Sequence, residues 1–330
     1  VGLAPRSSAW RRAVASAPIA SALMMSAGAQ SVTSATAVRA LKVTVLSTML
    51  ADAGIGEWGF AALVEVDGHR LLFDTGARPG TVLQNAKELG VDLSDVDDVV
   101  LSHHHDDHVG GLVTLRRSFM QTRPGALSRA HVGAGIFLAR LDAKGRPENS
   151  MPAIRSEYQE LGGQFVEHDG PVQLWPGVWL TGPVPRTNPE RNWSGSNRIQ
   201  TSNGLIEDTL PEDQSLVVDT PKGLVLVSGC GHAGVVNTLE YARRQVRAAP
   251  VLAAIGGFHL FPADDAKLDW TADKLRDFGL AHLLGAHCTG IEAVYRLRQR
   301  AGLSRPTAVV AAVGSSYTLD AGIDPRDLAR

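Results

Sequence analysis

Short apolar runs alternate with helical segments from residue 41 onward, and the order of the two sets the architecture. "LKVTVLS" (41–47), "FAALVEV" (60–66) and "RLLFDTG" (70–76) read as successive strands, the last two joined by a hairpin at Asp67-Gly68. "TVLQNAKELG" reads as a helix closed by Gly90, and "VDDVVLS" (96–102) as the strand that follows it. Between about 116 and 212 the pattern weakens into scattered Pro, Gly, Arg and Trp, which predicts long loops and short strands over a working face. Order returns in the last third. "QSLVVDTPKGLVLVSG" reads as a second hairpin turning near Pro221-Lys222-Gly223. "GVVNTLEYARRQVR" places Val235, Leu239, Ala242 and Val246 on one helical face. A strand at "VLAAIGG", a helix at "TADKLRDFG", a strand at "AHLLGA", a helix at "IEAVYRLRQR" and a strand-like "TAVVAAVGSS" complete the chain. Thr289 and Glu292 have the spacing of a capping box for the last of these helices. The two halves rhyme, each giving strands and then strand–helix alternation. That predicts two sheets packed face to face with helices outside, a four-layer αββα sandwich in the α/β class.

Composition narrows the picture. The chain has 330 residues and is 44% hydrophobic, ample for a core. Its formal charge of −2, without a basic cluster, gives no footprint for nucleic acid. Residues 1–29 differ in kind from the rest. Arg11-Arg12 precede an uncharged run of small apolar residues ending at Ala27-Gly28-Ala29, the layout of an export signal by the general or twin-arginine route. A linker over 30–40 and one domain over 41–330 follow. Cleavage near Ala29 removes three arginines and gives 29 − 34, or −5. Later runs are too short for a membrane anchor, so the expected location is periplasmic or secreted and the expected partner a small-molecule substrate. Only two cysteines occur, Cys230 and Cys288, both beside histidines, which suits a metal site at least as well as a disulfide.

The chemistry concentrates in "LSHHHDDHVGG" (101–111), at the C-terminal mouth of the 96–102 strand. A solvated polar loop is the bland reading. Against it, alternate residues of an extended segment share a face, so His103 and His105 can grip one cation together. Asp107 and His108 then aim at a second position, with Gly110-Gly111 letting the backbone turn tightly. His104 and Asp106 point away. Imidazole and carboxylate donors suit zinc best and admit iron or manganese.

"LLFDTG" followed by "LSHHHDDHVGGL" resembles the metallo-β-lactamase superfamily, whose αββα fold carries two metals at the sheet edges. Within it, "GEWGFAALVEVDGHRLLFDTG", "TGPVPR", "EDQSLVV", "KGLVLVSGCGHAGVVNTLEYA", "IGGFHL" and "HCTG" are similar to a subgroup named for dihydropterin and ribofuranosylaminobenzene 5′-phosphate synthase. These stretches span roughly residues 55 to 315. The resemblance implies His103 and His105 on the first metal and Asp107 and His108 on the second. Remaining ligands must come from histidines that end apolar strands: His232 for the first metal, His287 for the second, and His259 either replacing one of them or contacting substrate. Superfamily members usually complete the site with an Asp or Cys after a strand, and here Cys230 stands at that place, with Asp213 a further candidate. Asp74 is expected to orient a ligand histidine. Arg186, in "TGPVPR", offers a partner to an anionic group on the substrate. His69, His131, His168 and His282 lack such context and are expected to be structural or exposed.

The expected activity is that of a binuclear metal hydrolase. Two divalent ions, zinc first, would generate hydroxide at ordinary pH for attack on an ester, lactone, amide or phosphoester, with Asp107 orienting the nucleophile or moving a proton. Alternatives are a synthase of the kind the subgroup is named for, and a metal-binding protein without turnover. A flavodiiron protein would need more acidic ligands and a flavin domain, neither of which is visible.

Overall fold

The computed structural model of the chain describes residues 1–2 and 37–328. The expected export signal over 1–29, apart from its first two residues, and most of the 30–40 linker lie outside the described residues. Leu41–Ser47, Ala61–Val66 and His69–Phe73 pair antiparallel in succession. The hairpin between the last two turns on Asp67 (φ 44°) and Gly68 (φ 85°), the two left-handed positions of a primed turn. His69–Phe73 then pairs parallel with Asp98–Leu101, followed by Arg129–Gly133 and Gln164–His168. On its other side Leu41–Ser47 pairs with Ser316–Thr318, which pairs with Gly322–Asp324, giving eight strands in all.

The second sheet has seven strands and repeats this half-and-half plan. Val172–Trp175, Val178–Leu180, Leu216–Thr220 and Gly223–Ser228 are antiparallel neighbours. Gly223–Ser228, Val251–Gly256, His282–Gly285 and Ala308–Val310 are parallel ones. A small sheet of Arg140–Leu141, Arg198–Thr201 and Gly204–Glu207 lies apart from both.

Period-two alternation decides what each sheet face covers. Val43, Val45, Ala62, Val64, Leu71, Phe73 and Val100 from the first sheet meet Leu216, Val218, Val225, Val227, Ala253 and Ile255 from the second in one buried layer. The intervening residues face outward. Leu63, Leu72 and Val99 pack under Thr81–Glu88 and Leu112–Phe119, while Val217, Leu224 and Leu226 pack under Val235–Gln245 and its neighbours. The result is the four-layer αββα sandwich expected from the sequence. Each fully buried aliphatic side chain of the central layer contributes about 1.5–3 kcal/mol, and the two helix-facing layers add buried clusters of similar size. Among the described residues no helix is long and apolar enough to cross a membrane.

Several local expectations are corrected. The strand read over 70–76 ends at Phe73, because Asp74 leaves it at φ 57°. The helix read over 271–279 begins at Asp265, where the Asp264 side chain accepts from the Lys267 amide as an N-cap. "TAVVAAVGSS" is not one strand: Ala308–Val310 closes the second sheet and Ser316–Thr318 joins the first, so the chain crosses the sandwich between them. In the stretch from about 116 to 212 read as loops and short strands, the helix Met151–Glu160 stands and the helix Leu112–Phe119 ends. Thr289 and Glu292 form no capping box. Gly290 is the N-cap, and Thr289 Oγ1 instead donates to the Gly256 carbonyl and accepts from the Phe258 amide. Gly110 and Gly111 are helical, at φ −63° and −87°, so neither serves as a flexible turn. Their need for glycine is spatial: a Cβ would lie 2.0 Å from the Ala77 carbonyl oxygen and 2.2 Å from that of Thr75.

Candidate metal centre

The parallel strands of both sheets end at one place. His103 follows Asp98–Leu101, His232 follows Gly223–Ser228, His259 follows Val251–Gly256, and His287 follows His282–Gly285. Carboxyl ends of parallel strands are where open α/β sheets present ligand sites, because the loops there are free to carry chemistry. The two halves come very close at this edge. A Cβ on Gly229 would sit 2.1 Å from Ser102 Oγ and 2.5 Å from Asp74 Oδ2, so only glycine fits.

Two groups of three donors result. Nitrogens of His103, His105 and His232 all lie within 4.8 Å of one another, as do the donors of Asp107, His108 and His287. Ring centroids of His103 and His105 are 4.5 Å apart, those of His103 and His232 4.6 Å. Cys230 belongs to three further groups, with His103 and His108, with His232 and His259, and with His287 and Cys288, which places its sulfur between the two principal sets. Cys230 Sγ lies 3.1 Å from His108 Nε2 and 3.2 Å from Cys288 Sγ, and both cysteines are free thiols.

The imidazoles are held from behind. His103 Nδ1 meets Ser102 Oγ at 2.9 Å, and His232 Nδ1 meets the Asn192 carbonyl. His108 Nδ1 is 2.7 Å from Asp74 Oδ2, whose carboxylate also accepts from the Ser102 amide and hydroxyl at 2.7 and 2.8 Å. Asp74 therefore orients one histidine directly and a second through Ser102. Forward of these contacts, the Nε2 atoms of His103 and His232 are buried with no hydrogen-bond partner among the described residues. His287 is more open still. Its Nε2 lies 3.2 Å from Asp107 Oδ2 without hydrogen-bond alignment, and neither ring nitrogen has a hydrogen-bond partner among the described residues. A buried ring nitrogen without a partner costs free energy comparable to a lost hydrogen bond, and several facing one another are the donor set a cation satisfies.

Electrostatics agree with that assignment at three of the rings and set His108 apart. Burial, followed by the neighbouring imidazoles, holds His103 far below the ordinary histidine range, and burial does the same to His105 and His232. These three rings are neutral near pH 7, the state in which nitrogen lone pairs bind metal. Burial also opposes charge on His108, but the Asp107 and Asp74 carboxylates outweigh it and raise that ring to about 9. Asp107 is depressed although burial works the other way, because the His108 and His287 imidazoles favour its anion. His259 and His287 sit at φ 49° and 44°, and Asp74 at φ 57°. Left-handed backbone at a non-glycine residue is strained, and such strain gathers where side chains must be aimed.

The remaining sequence candidates fall into place around this arrangement. His259 is half-buried, its ring 4.7 Å from that of His232 and its Nδ1 without a partner among the described residues. Asp213 Oδ2 accepts from the Ala233 amide at 2.9 Å, and burial raises this carboxyl to about 7. It belongs to none of the donor groups and pins the loop that carries His232. Arg186 donates through Nη2 to the Thr209 and Leu210 carbonyls and lies 5.3 Å from the Trp193 ring, while its buried Nε has no hydrogen-bond partner among the described residues. His104 turns from the centre onto Glu212, 2.7 Å away, which Arg140 and Asp208 extend into a buried ionic network. Asp106 is exposed and accepts from Ser150 Oγ. Ser102, Asn192 and Glu212 were not singled out in the sequence. Of these only Ser102 carried a signal, standing at the strand end directly before the histidines.

Comparison with known proteins bears out the family resemblance. The family model described as the metallo-beta-lactamase superfamily matches residues 59–243. A relative from Methanocaldococcus jannaschii, named 7,8-dihydropterin-6-methyl-4-(beta-D-ribofuranosyl)-aminobenzene-5'-phosphate synthase, is 28% identical over 248 residues, covering 71% of this chain and 82% of the relative. A solved metal-dependent hydrolase of the beta-lactamase superfamily aligns with a TM-score of 0.67 and 25% identity, covering 84% of this chain and 98% of its own. Zinc-bound PqqB from Methylobacterium extorquens shares the fold, with a TM-score of 0.50 at 14% identity over 83% of this chain and 99% of its own.

Proposed function

Because the chain belongs to the metallo-beta-lactamase superfamily, we propose that it is a metal-dependent hydrolase with two divalent cations in its centre. His103, His105 and His232 would hold one, and Asp107, His108 and His287 the other, with Cys230 between them. One observation carries the reading: ring nitrogens from both halves of the chain converge, buried and without protein partners, while their opposite nitrogens are held by Ser102 and Asn192. Donors of this kind favour zinc and accommodate iron or manganese. When bound, the ions would supply Lewis acidity, lowering the pKa of a water and polarising the scissile group.

The protein's own residues do the rest. Asp107, beside His108 and His287, orients the attacking water and accepts its proton. His259, with an uncommitted Nδ1, passes a proton to the leaving group. Asp74 and Ser102 hold the rings so that little reorganisation accompanies the reaction. The substrate is a small molecule with an ester, lactone, amide or phosphoester bond.

The name of the Methanocaldococcus relative supports a second reading, a synthase that forms a pterin-containing product. Export through residues 1–29, which remains part of this proposal, argues against it, because such precursors are cytosolic. Elemental analysis with a hydrolase panel and a pterin-formation assay separates the readings. Two ions per chain and turnover on the panel are expected. His287→Ala should lose one ion and fall to background, and His232→Ala should do the same. Hydrolysis that survives metal stripping, or survives in both variants, overturns the proposal.

A further inference from the structure

Two large aromatic side chains stand in the open beside the candidate centre. Trp58 is 48% exposed and Phe261 51%, although each is next to buried protein. Their rings meet edge to face, 5.4 Å apart at 81°. Trp58 also lies 4.8 Å from the ring of His287, and Phe261 lies 5.3 Å from that of His259. The pair thus spans the second-half imidazoles of the site.

The backbone beneath each ring is held in place. Glu57, directly before Trp58, is buried and accepts from the Ala77 and Arg78 amides and from Ser47 Oγ. Gly59, directly after it, leaves no room for a side chain, since a Cβ would lie 2.7 Å from the Ala77 nitrogen and 2.9 Å from the Asp107 carbonyl oxygen. On the other loop, the Leu260 and Phe261 amides both donate to the Cys288 carbonyl. A Cβ on Gly290 would stand 2.9 Å from Phe261 Cβ, so that backbone is pressed against the turn after His287. Both aromatics are therefore anchored to the loops that carry Asp107 and His287. Half-exposed aromatic rings carried on a fixed backbone beside a polar site offer apolar surface that a ligand can cover with little reorganisation.

We propose that Trp58 and Phe261 form the binding wall for a planar aromatic ring in the substrate, placed beside the bond to be cleaved. For the cleavage the proposal rests on the hydrolase reading; for the ring it rests on this geometry alone. An aliphatic group would gain only area burial against the pair. A flat ring gains in addition the stacked and edge-on contacts that aromatic quadrupoles favour at centroid separations of roughly 4.5–7 Å. His259 also lines a cavity of about 340 Å³, together with Asn192, Trp193 and Lys267 among others, which has space for the rest of the molecule.

Calorimetry on the zinc-loaded full chain tests this without turnover, using 2-naphthoate and its saturated counterpart decahydro-2-naphthoate. Both carry one carboxylate, and the saturated probe is the more hydrophobic, so tighter binding of naphthoate isolates the ring. Naphthoate is expected to bind about tenfold tighter. That ratio should fall toward one in Trp58→Ala and in Phe261→Ala and recover in Trp58→Phe, with metal content unchanged throughout. Equal affinity in the unaltered protein, or a preference that survives the double alanine variant, overturns the inference. Failure of the hydrolase reading looks different: no turnover on any panel substrate, with the naphthoate preference intact.

Discussion

Histidines gather at two places in this molecule, and they are used in opposite ways. At the edge of the first sheet, His131 Nδ1 meets His168 Nε2 at 3.0 Å and His131 Nε2 meets Asp98 Oδ1 at 3.0 Å. Arg129 closes the chain with a two-pronged bond to the Asp98 carboxylate at 2.7 and 2.8 Å. Both nitrogens of His131 are consumed, and the two rings stack at 9°. At the strand ends the same residue type leaves one nitrogen on a protein partner and the other with none among the described residues, as His103 and His232 show. His131 thus has no nitrogen left for a cation, whereas His103 and His232 each keep one.

Asp74→Asn should give the largest contrast. Asp74 is acceptor to His108 and, twice, to Ser102, and an amide cannot accept at both oxygens. Metal affinity, measured by competition with a chelator, should drop by about 10–100-fold, the usual consequence of removing a group that orients a ligand ring. Unchanged affinity would mean that His108 is aimed by packing alone, and the contrast between the clusters would lose its basis.

At the edge cluster the parallel change should alter stability and leave metal untouched. Burial of Asp98 works against its charge, but the bonds from Arg129 and His131 win and lower the carboxyl from 3.8 to about 2. A depressed folded-state value stabilises the protein above the unfolded value and loses that contribution as pH falls from about 4 toward 2. Asp98→Asn should therefore cost about 1–2 kcal/mol near neutral pH, discounted for partial solvent screening. The gap between variant and parent should close by about pH 2, as read from denaturant midpoints, with metal stoichiometry unchanged. A loss of bound metal in Asp98→Asn would join two clusters that the geometry keeps separate.

How much of this was legible in the sequence depends on how local each feature is. The central layer could be read because period-two alternation in runs such as "LKVTVLS" is set by each strand's own residues. His103, His105, Asp107 and His108 are consecutive enough to declare themselves, and His232 and His287 could be found because each closes an apolar run. Their supports could not. Asn192 reaches His232 across 40 residues, and Glu212 reaches His104 across 108, distances at which one sequence carries no pairing signal. The misread features share a cause. Thr289 had the spacing of a cap, but its hydroxyl found Gly256 on a neighbouring strand instead. Gly110 and Gly111 read as a tight turn, whereas the packed carbonyls of Ala77 and Thr75 set the requirement. In each case a tertiary contact overrode a plausible local rule.

His168 should give the smallest effect, and it tests whether the edge cluster works as a hydrogen-bonded pair. Burial, followed by the neighbouring His131, holds His168 below its ordinary value of 6.5. For a lowered histidine the sign is the reverse of the common case. Above 6.5 both folded and unfolded states are neutral and the group contributes nothing; below it the unfolded chain takes up the proton first and stability falls. His168→Gln keeps a polar group facing His131 but cannot titrate, so it should remove this part of the acid loss. With His168 only partly buried, the difference should be a few tenths of a kcal/mol, about 0.3. It should show as a smaller shift in the urea midpoint between about pH 7.5 and pH 5.5 in the variant than in the parent. If the two shifts coincide, the stacked pair accepts a proton as readily as water does, and its two rings pack together without a shared hydrogen bond that excludes charge.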